Sequence, residues 1–336
     1  MKRNVIYFPY IRVPQNEWFT RVLLYWDQIA SIVPMDYVDD PSKLGKYMYN
    51  LVQESLVKQV IPAKYVYSIP NFTEAFVNYV DSPNYPVPLG IIGRKNLSTF
   101  RVHMEKLGSI GDELCQRGLA RAEDWRWYNI EAYTANQFMA YLAACLGKLL
   151  AIESQPITDN NQNLASFAPQ YHQGGKLSPK IDKMRTLVLK DILPAPSSSI
   201  SPRKIAKFKE DYKNELTRFR NKVESFLISA AAIRDSSLRS ESINQFVIET
   251  RDDVDELSEL MKSRGWKNIT LGRFLAYSTA AFGLALAITT GGLLGIVAAA
   301  FGAGSAIYAT ITGAMSTNLL EGKYAAYAVL AQKKLN

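Results

Sequence analysis

The chain has very little of the side-chain chemistry from which most active sites are assembled. It holds 2 histidines and 2 cysteines in 336 residues. His103 and His172 stand far apart and without neighbours at metal-ligand spacing, so ordinary structural roles are expected of both and no metal site is. Cys115 and Cys145 lack any CxxC spacing, which speaks against zinc and against a disulfide framework. No GxxxxGK[ST] phosphate loop and no HExxH motif is present; Gly302-Ala303-Gly304 sits inside an apolar run. The acids of Trp26-Asp27 and Asp39-Asp40 are not gathered with others for acid/base work. The expectation is a protein that is not an enzyme, with no catalytic residue and no cofactor. The opening Met1–Tyr10 is too aromatic and too short in apolar character for a secretory segment, so a cytoplasmic body is expected.

Charge is also absent in one long place. From Phe274 to Leu320 there is no Asp, Glu, Lys or Arg. That length suffices for two spans of roughly 20 residues with a turn between them, which Thr289-Thr290-Gly291-Gly292 would supply. Arg264, Lys267 and Arg273 precede the stretch and Lys323 follows it, a cationic flanking that would keep both ends on the cytoplasmic side. Small residues recur at Gly283, Gly291, Gly292, Gly295, Gly302, Gly304 and Gly313, which would permit close helix packing. A transmembrane-type helical hairpin over 271–315, associated with the inner membrane, is therefore expected; a buried Ala/Gly-rich core is the other reading.

What is plentiful is positive charge in one segment. The net charge is +8, and between Gln173 and Val223 there are 13 Lys and Arg against 5 acids. Lys204, Lys207, Lys209, Lys213, Arg218, Arg220 and Lys222 form a candidate surface for anionic lipid, an acidic partner or nucleic acid. Aromatic interleaving is sparse there, so any nucleic-acid contact would be indirect. The alternative is a solvated face paired with the acidic helix over Ser242–Lys262.

The remaining pattern divides the chain into 1–160, 161–265 and 266–336. In the first part, strands are expected at Val5–Tyr10, Ser31–Pro34, Val60–Pro62 and Leu89–Gly93. Helices are expected over Asn16–Ala30, from Pro41 to about Lys58, and over Ala132–Glu153. Met184–Leu193 reads as strand-like. Ser201-Pro202 starts a helix whose apolar stripe runs from Ile205 through Phe208, Tyr212, Leu216, Phe219 and Val223 to Phe226. The fold class expected is an α+β or α/β N-terminal body with a mostly helical second half and a C-terminal transmembrane-type hairpin.

Several segments together carry a resemblance. They are Tyr7-Phe8-Pro9-Tyr10, Leu23-Leu24-Tyr25-Trp26-Asp27, Ile32-Val33-Pro34, His103-Met104-Glu105-Lys106-Leu107, Gly118-Leu119-Ala120, Leu193-Pro194-Ala195-Pro196 and Phe208-Lys209 with Leu216, Phe219 and Arg220. As a set they resemble an uncharacterised prokaryotic family of unknown function, for which no activity or catalytic residue follows. The layout is also similar to membrane effectors paired with prokaryotic Argonautes and comparable sensors, which is an analogy of architecture. It implies an effector of prokaryotic immunity that depolarises the membrane when a sensor protein activates it, with membrane lipids and further copies of itself as partners. The alternative is a membrane-anchored nucleic-acid-binding or accessory protein using residues 173–223.

Overall fold

The computed structural model describes residues 4–149, 151–159, 178–193, 200–263 and 323–335. Seven strands run in chain order as β1 (Asn4–Tyr7), β2 (Gln28–Ile32), β3 (Val57–Val60), β4 (Thr99–His103), β5 (Ala120–Ala122), β6 (Trp127–Glu131) and β7 (Ser154–Ile157). Four of them form a parallel sheet in the order β3-β2-β1-β7, with Ile6 opposite Ala30 on one side and Pro156 on the other. The other three form an antiparallel sheet, β4-β6-β5. Parallel strands covered on both faces need apolar side chains pointing both ways. Accordingly Val5, Tyr7 and Ile29 enter one core, while Ile6, Phe8, Ala30 and Ile32 enter a second.

Helices clothe both faces. They are α1 (Glu17–Tyr25), α2 (Met35–Asp39), α3 (Lys46–Gln53), α4 (Phe72–Val80), α5 (Met104–Leu107), α6 (Ile110–Gln116), α7 (Ala132–Lys148), α8 (Ser178–Ile192), α9 (Pro202–Asp211), α10 (Lys213–Ala232), α11 (Ser236–Ser263) and α12 (Ala326–Leu335). The first core joins α1 and α3 to the helices from α8 onward; the second joins α4, α6 and α7 to the small sheet. Gly118 shows how tightly the small sheet is tied in. Its φ is +63°, and a Cβ there would lie 2.5 Å from the Gly90 Cα. Backbone bonds from Gly90 to Arg117 and from Ile92 to Gly118 hold the two loops together.

The architecture is thus mixed α/β, and it corrects the expected fold class at its C-terminal end. Among the described residues no helix is long and apolar enough to cross a membrane. The hairpin expected over 271–315 lies outside the described residues, as do its seven glycines and Arg264, Lys267 and Arg273. The last described segment, α12, is a core helix. Tyr327 is fully buried and donates from its hydroxyl to the Leu24 carbonyl at 2.6 Å.

Local expectations shift as well. The helix expected over Asn16–Ala30 stops at Tyr25, and Ile29 belongs to β2. The helix expected from Pro41 is broken at Gly45, whose φ of 75° is left-handed, and β3 begins at Val57. Leu89–Gly93 is a turn with one short 3-10 segment rather than a strand, and α7 ends at Lys148. Met184–Leu193, expected as a strand, is α8 with Met184, Val188, Leu189, Ile192 and Leu193 buried. The Ser201 cap holds as expected, its hydroxyl accepting from the Lys204 N–H at 3.3 Å.

Candidate functional site

In a parallel sheet the loops that leave the carboxyl ends of the strands frame the natural crevice, most of all where strand order reverses. Here the order reverses at β1, which has β2 on one side and β7 on the other. The segment directly after β1, Pro9 to Arg12, forms one wall of a cavity of about 470 Å³. Tyr37, from the helix after β2, adds to it. The opposite wall comes from the small sheet and the turn beyond it: Phe100, Arg101, Val102 and His103 of β4, Lys106 of α5 and Trp127 of β6. The first turns of α7 close it with Ala135, Asn136 and Met139.

Among the described residues the lining holds Arg12, Arg101 and Lys106 and no carboxylate. The two arginines are exposed and engaged. Arg12 donates to the Lys43 carbonyl at 3.1 and 2.6 Å, and Arg101 donates to Glu123 at 2.8 Å while its guanidinium lies 4.7 Å from the Trp127 ring. Lys106 differs from both. Its side chain is 4% exposed, and it has no hydrogen-bond or ion-pair partner among the described residues. Burial lowers its ammonium to about 7, because the charged form loses its hydration with nothing nearby to replace it.

The turn carrying Lys106 is fixed by its neighbours. His103 is buried and meets Trp127 edge-on at 4.9 Å, and its Nδ1 accepts from the Glu105 N–H at 3.3 Å to cap α5. Glu105 in turn accepts from the Met35 N–H at 2.8 Å, which ties α5 to α2. Burial lowers the His103 pKa, with Glu105 and Asp36 opposing the shift and Lys106 and Arg126 adding to it. Asp36, His103 and Glu105 have ligand-type atoms within 4.8 Å of one another, and Asp36 Oδ1 and His103 Nε2, 3.9 Å apart, are both buried without a hydrogen-bond partner. Against a metal, the Arg126 guanidinium lies 3.8 Å from Asp36, and His103 Nδ1 and one carboxylate oxygen of Glu105 already accept from backbone N–H groups. We read the trio as the mount of the Lys106 turn.

A second cavity, of about 430 Å³, lies beside β7 and the start of α1. Its arginines are spoken for: Arg21 donates to the Leu193 carbonyl at 3.1 Å, and Arg185 donates to Glu224 at 2.5 and 2.7 Å. Lys190, the remaining cation of that lining, is exposed, so of these two cavities the cleft at Lys106 is the one that holds a buried cation without a partner among the described residues.

The basic residues singled out in the sequence do not form one surface. Arg220 is buried, donating to the Tyr25 carbonyl at 3.1 Å and to Asp27 at 2.9 Å. Lys209 is half-buried and donates to the carbonyls of Trp26 and Asp27 at 2.5 and 3.1 Å. Together they clamp the turn between α1 and β2. Lys204, Lys207 and Lys213 are exposed, Arg218 and Lys222 half-exposed, and Lys222 lies 5.3 Å from the Tyr324 ring. Lys323 is half-exposed just before α12. None of these lines the cleft. Lys106 itself was legible only as one member of the His103–Leu107 segment; nothing in its sequence neighbours announces a buried amine.

No curated protein and no solved structure matches the chain. The expected kinship with an uncharacterised family stands in that coarse form, because a model described as "Family of unknown function (DUF6236)" matches residues 117–336. That stretch carries β5, β6, α7, β7 and the helices that follow, well over half of the sequence, and the chain belongs to this family of unknown function.

Proposed function

We propose that the protein binds a small anionic molecule bearing a flat ring in the cleft over the carboxyl ends of β1 and β2. The observation that carries this reading is Lys106, a buried amine that has no counter-ion among the described residues and lies on the wall of a cavity whose described lining has two further cations and no acid. An unpaired buried cation is costly unless something supplies the opposite charge, and a ligand anion does so. Tyr10, Tyr37, Phe100 and Trp127 give the same cleft broad apolar faces against which a ring stacks.

The expectation of a membrane-depolarising immune effector drew on residues 271–315, which lie outside the described residues, and on an analogy of layout. Its sensor, lipid and nucleic-acid partners have no counterpart among the observations at the cleft. Ligand binding is the reading that the described side chains favour.

Calorimetric titration of the full-length chain with adenosine 5′-monophosphate, pyridoxine 5′-phosphate and inorganic phosphate tests this. A ring phosphate is expected to bind saturably and more tightly than phosphate alone, and Lys106→Met is expected to weaken it by about tenfold, or about 1.4 kcal/mol. Trp127→Ala should weaken the ring-bearing ligands selectively. Absence of saturable binding by any of the three, or equal binding by the Lys106→Met chain, overturns the reading.

A further inference from the structure

We propose that Lys106 is a covalent capture residue, its amine condensing with an aldehyde or ketone on the ligand to form an imine. This rests on the ligand-binding reading of the cleft and specifies what the bound molecule carries. Imine formation asks three things of a lysine: an amine with its lone pair free, access to a site where a carbonyl can be held, and shelter from competing water. Lys106 meets each in turn. It has no partner among the described residues, it lines the cavity, and it is 4% exposed. Burial, with no described carboxylate paired to it, leaves a large part of the amine uncharged near neutral pH.

The step balances without any further reagent. The Nζ lone pair attacks the carbonyl carbon, the carbonyl π electrons move to oxygen, and a proton passes from nitrogen to that oxygen to give a carbinolamine. Loss of the hydroxyl together with a second nitrogen proton releases one water and leaves the C=N bond. Nothing is oxidised or reduced. Arg12 and Arg101, exposed on the lining, would hold the anionic group of such a ligand by sharing or exchanging their bonds to the Lys43 carbonyl and Glu123 while its carbonyl reaches Lys106. The polar Asn136 on α7 and the Trp127 ring complete the enclosure.

The probe is pyridoxal 5′-phosphate, with pyridoxine 5′-phosphate as the aldehyde-free control of the same ring and charge. The full-length chain is incubated with the aldehyde near pH 8, reduced with borohydride, digested and mapped by mass spectrometry. Lys106 is expected to be labelled about fivefold faster than exposed lysines such as Lys204 and Lys213. That figure follows from its larger uncharged fraction, offset by the lower nucleophilicity of a less basic amine. The alcohol control should compete with the labelling. Mapping on the unaltered chain does not depend on a variant that folds. If pyridoxine 5′-phosphate binds but label accumulates on exposed lysines and spares Lys106, imine formation is wrong and ligand binding survives. If Lys106 is labelled but the control neither binds nor competes, the amine is reactive as proposed and the ring-phosphate reading of the cleft is what fails.

Discussion

A lysine carried out of water without an acid beside it gives up hydration that the protein does not replace, and that loss is readable in the pH dependence of stability. The Lys106 ammonium is lowered from 10.5 to about 7 by burial. Between those values the unfolded chain binds more protons than the folded one, so stability rises with pH across that window. Below about pH 7 both states are protonated and the full penalty stands; above about 10.5 it is gone. The charged and titratable groups that share its cavity lining, Tyr10, Arg12, Tyr37, Arg101 and His103, include no carboxylate, and no described ion pair relieves it. Lys106→Met should therefore stabilise the protein by on the order of 4 kcal/mol at neutral pH, since folding costs the amine about three and a half tenfold steps of proton affinity and each corresponds to about 1.4 kcal/mol. That gain should shrink towards zero at about pH 10.5. Thermal melts of both chains across this range check it, and a gain that does not change with pH would sink the idea. His103 adds an effect on the acid side. Its lowered pKa means that folding favours the neutral ring, so stability is lost as pH falls below about 6.5. On the proposed ligand-binding reading, the costly lysine trades stability for a site, a common exchange at functional positions.

At the scale of elements, a buried pair joins α8 to α10. Arg185 donates to both oxygens of Glu224, Tyr25 donates to the same carboxylate at 2.8 Å, and the Arg185 guanidinium lies 5.1 Å from the Trp26 ring. Glu224→Gln leaves a buried guanidinium without its counter-charge and should cost about 3 kcal/mol in urea unfolding. The double change Arg185→Met with Glu224→Leu should recover most of it, since no charge is then stranded. A single variant as stable as the parent would mean that the pair carries no weight. Both partners come from segments whose form sequence pattern reads unevenly. Ser201-Pro202 and the stripe from Ile205 to Phe226 were legible because cap and periodicity agree, but the single helix they suggest is broken at Tyr212 into α9 and α10. Met184–Leu193 was not, because Leu187-Val188-Leu189 imitates a strand. The buried set 184, 188, 192 with 189 and 193 is helical, and Leu187 is 42% exposed. Ile29 misled in the opposite sense. It continues the helical spacing of Trp18, Val22 and Trp26, yet β1 and β3 claim it for the sheet, and pairing outweighs local pattern. The cleft was less legible still. Its walls come from the segment after β1 and from α2, β4, α5, β6 and α7, and the distinction of Lys106 is its burial, which no spacing records.

For the whole molecule, the decisive fact is that one core runs from the first strand to the last described helix. Val5 and Tyr7 of β1, Phe19 of α1, Phe219 of α10 and Tyr327 of α12 belong to a single buried cluster. Tyr327 packs 5.3 Å from Phe208 and 5.9 Å from Phe219 between ring centroids, and its hydroxyl is satisfied by the Leu24 carbonyl. The sequence suggests that residues 266–336 are separable from the body, because a charge-free run sets them apart; packing at α12 says that their last turns are part of the body. Removing residues 323–336 should expose the faces of α9, α10 and α1 that α12 covers and lower the melting temperature sharply, with aggregation. Tyr327→Ala in the full-length chain is the gentler form of the same test, with an expected cost of about 3–5 kcal/mol for a fully buried aromatic. Tyr327→Phe should cost only the hydrogen bond, about 1 kcal/mol, because the ring still fills its place. Hydrogen exchange adds a readout of location, since loss of the α12 contacts should deprotect amides in α1 and α10 before those of α7, which lies in the other core. A truncated chain that melts at the parent temperature, with α1 still protected, would show that α12 does not help to hold the sheet and its cleft in shape.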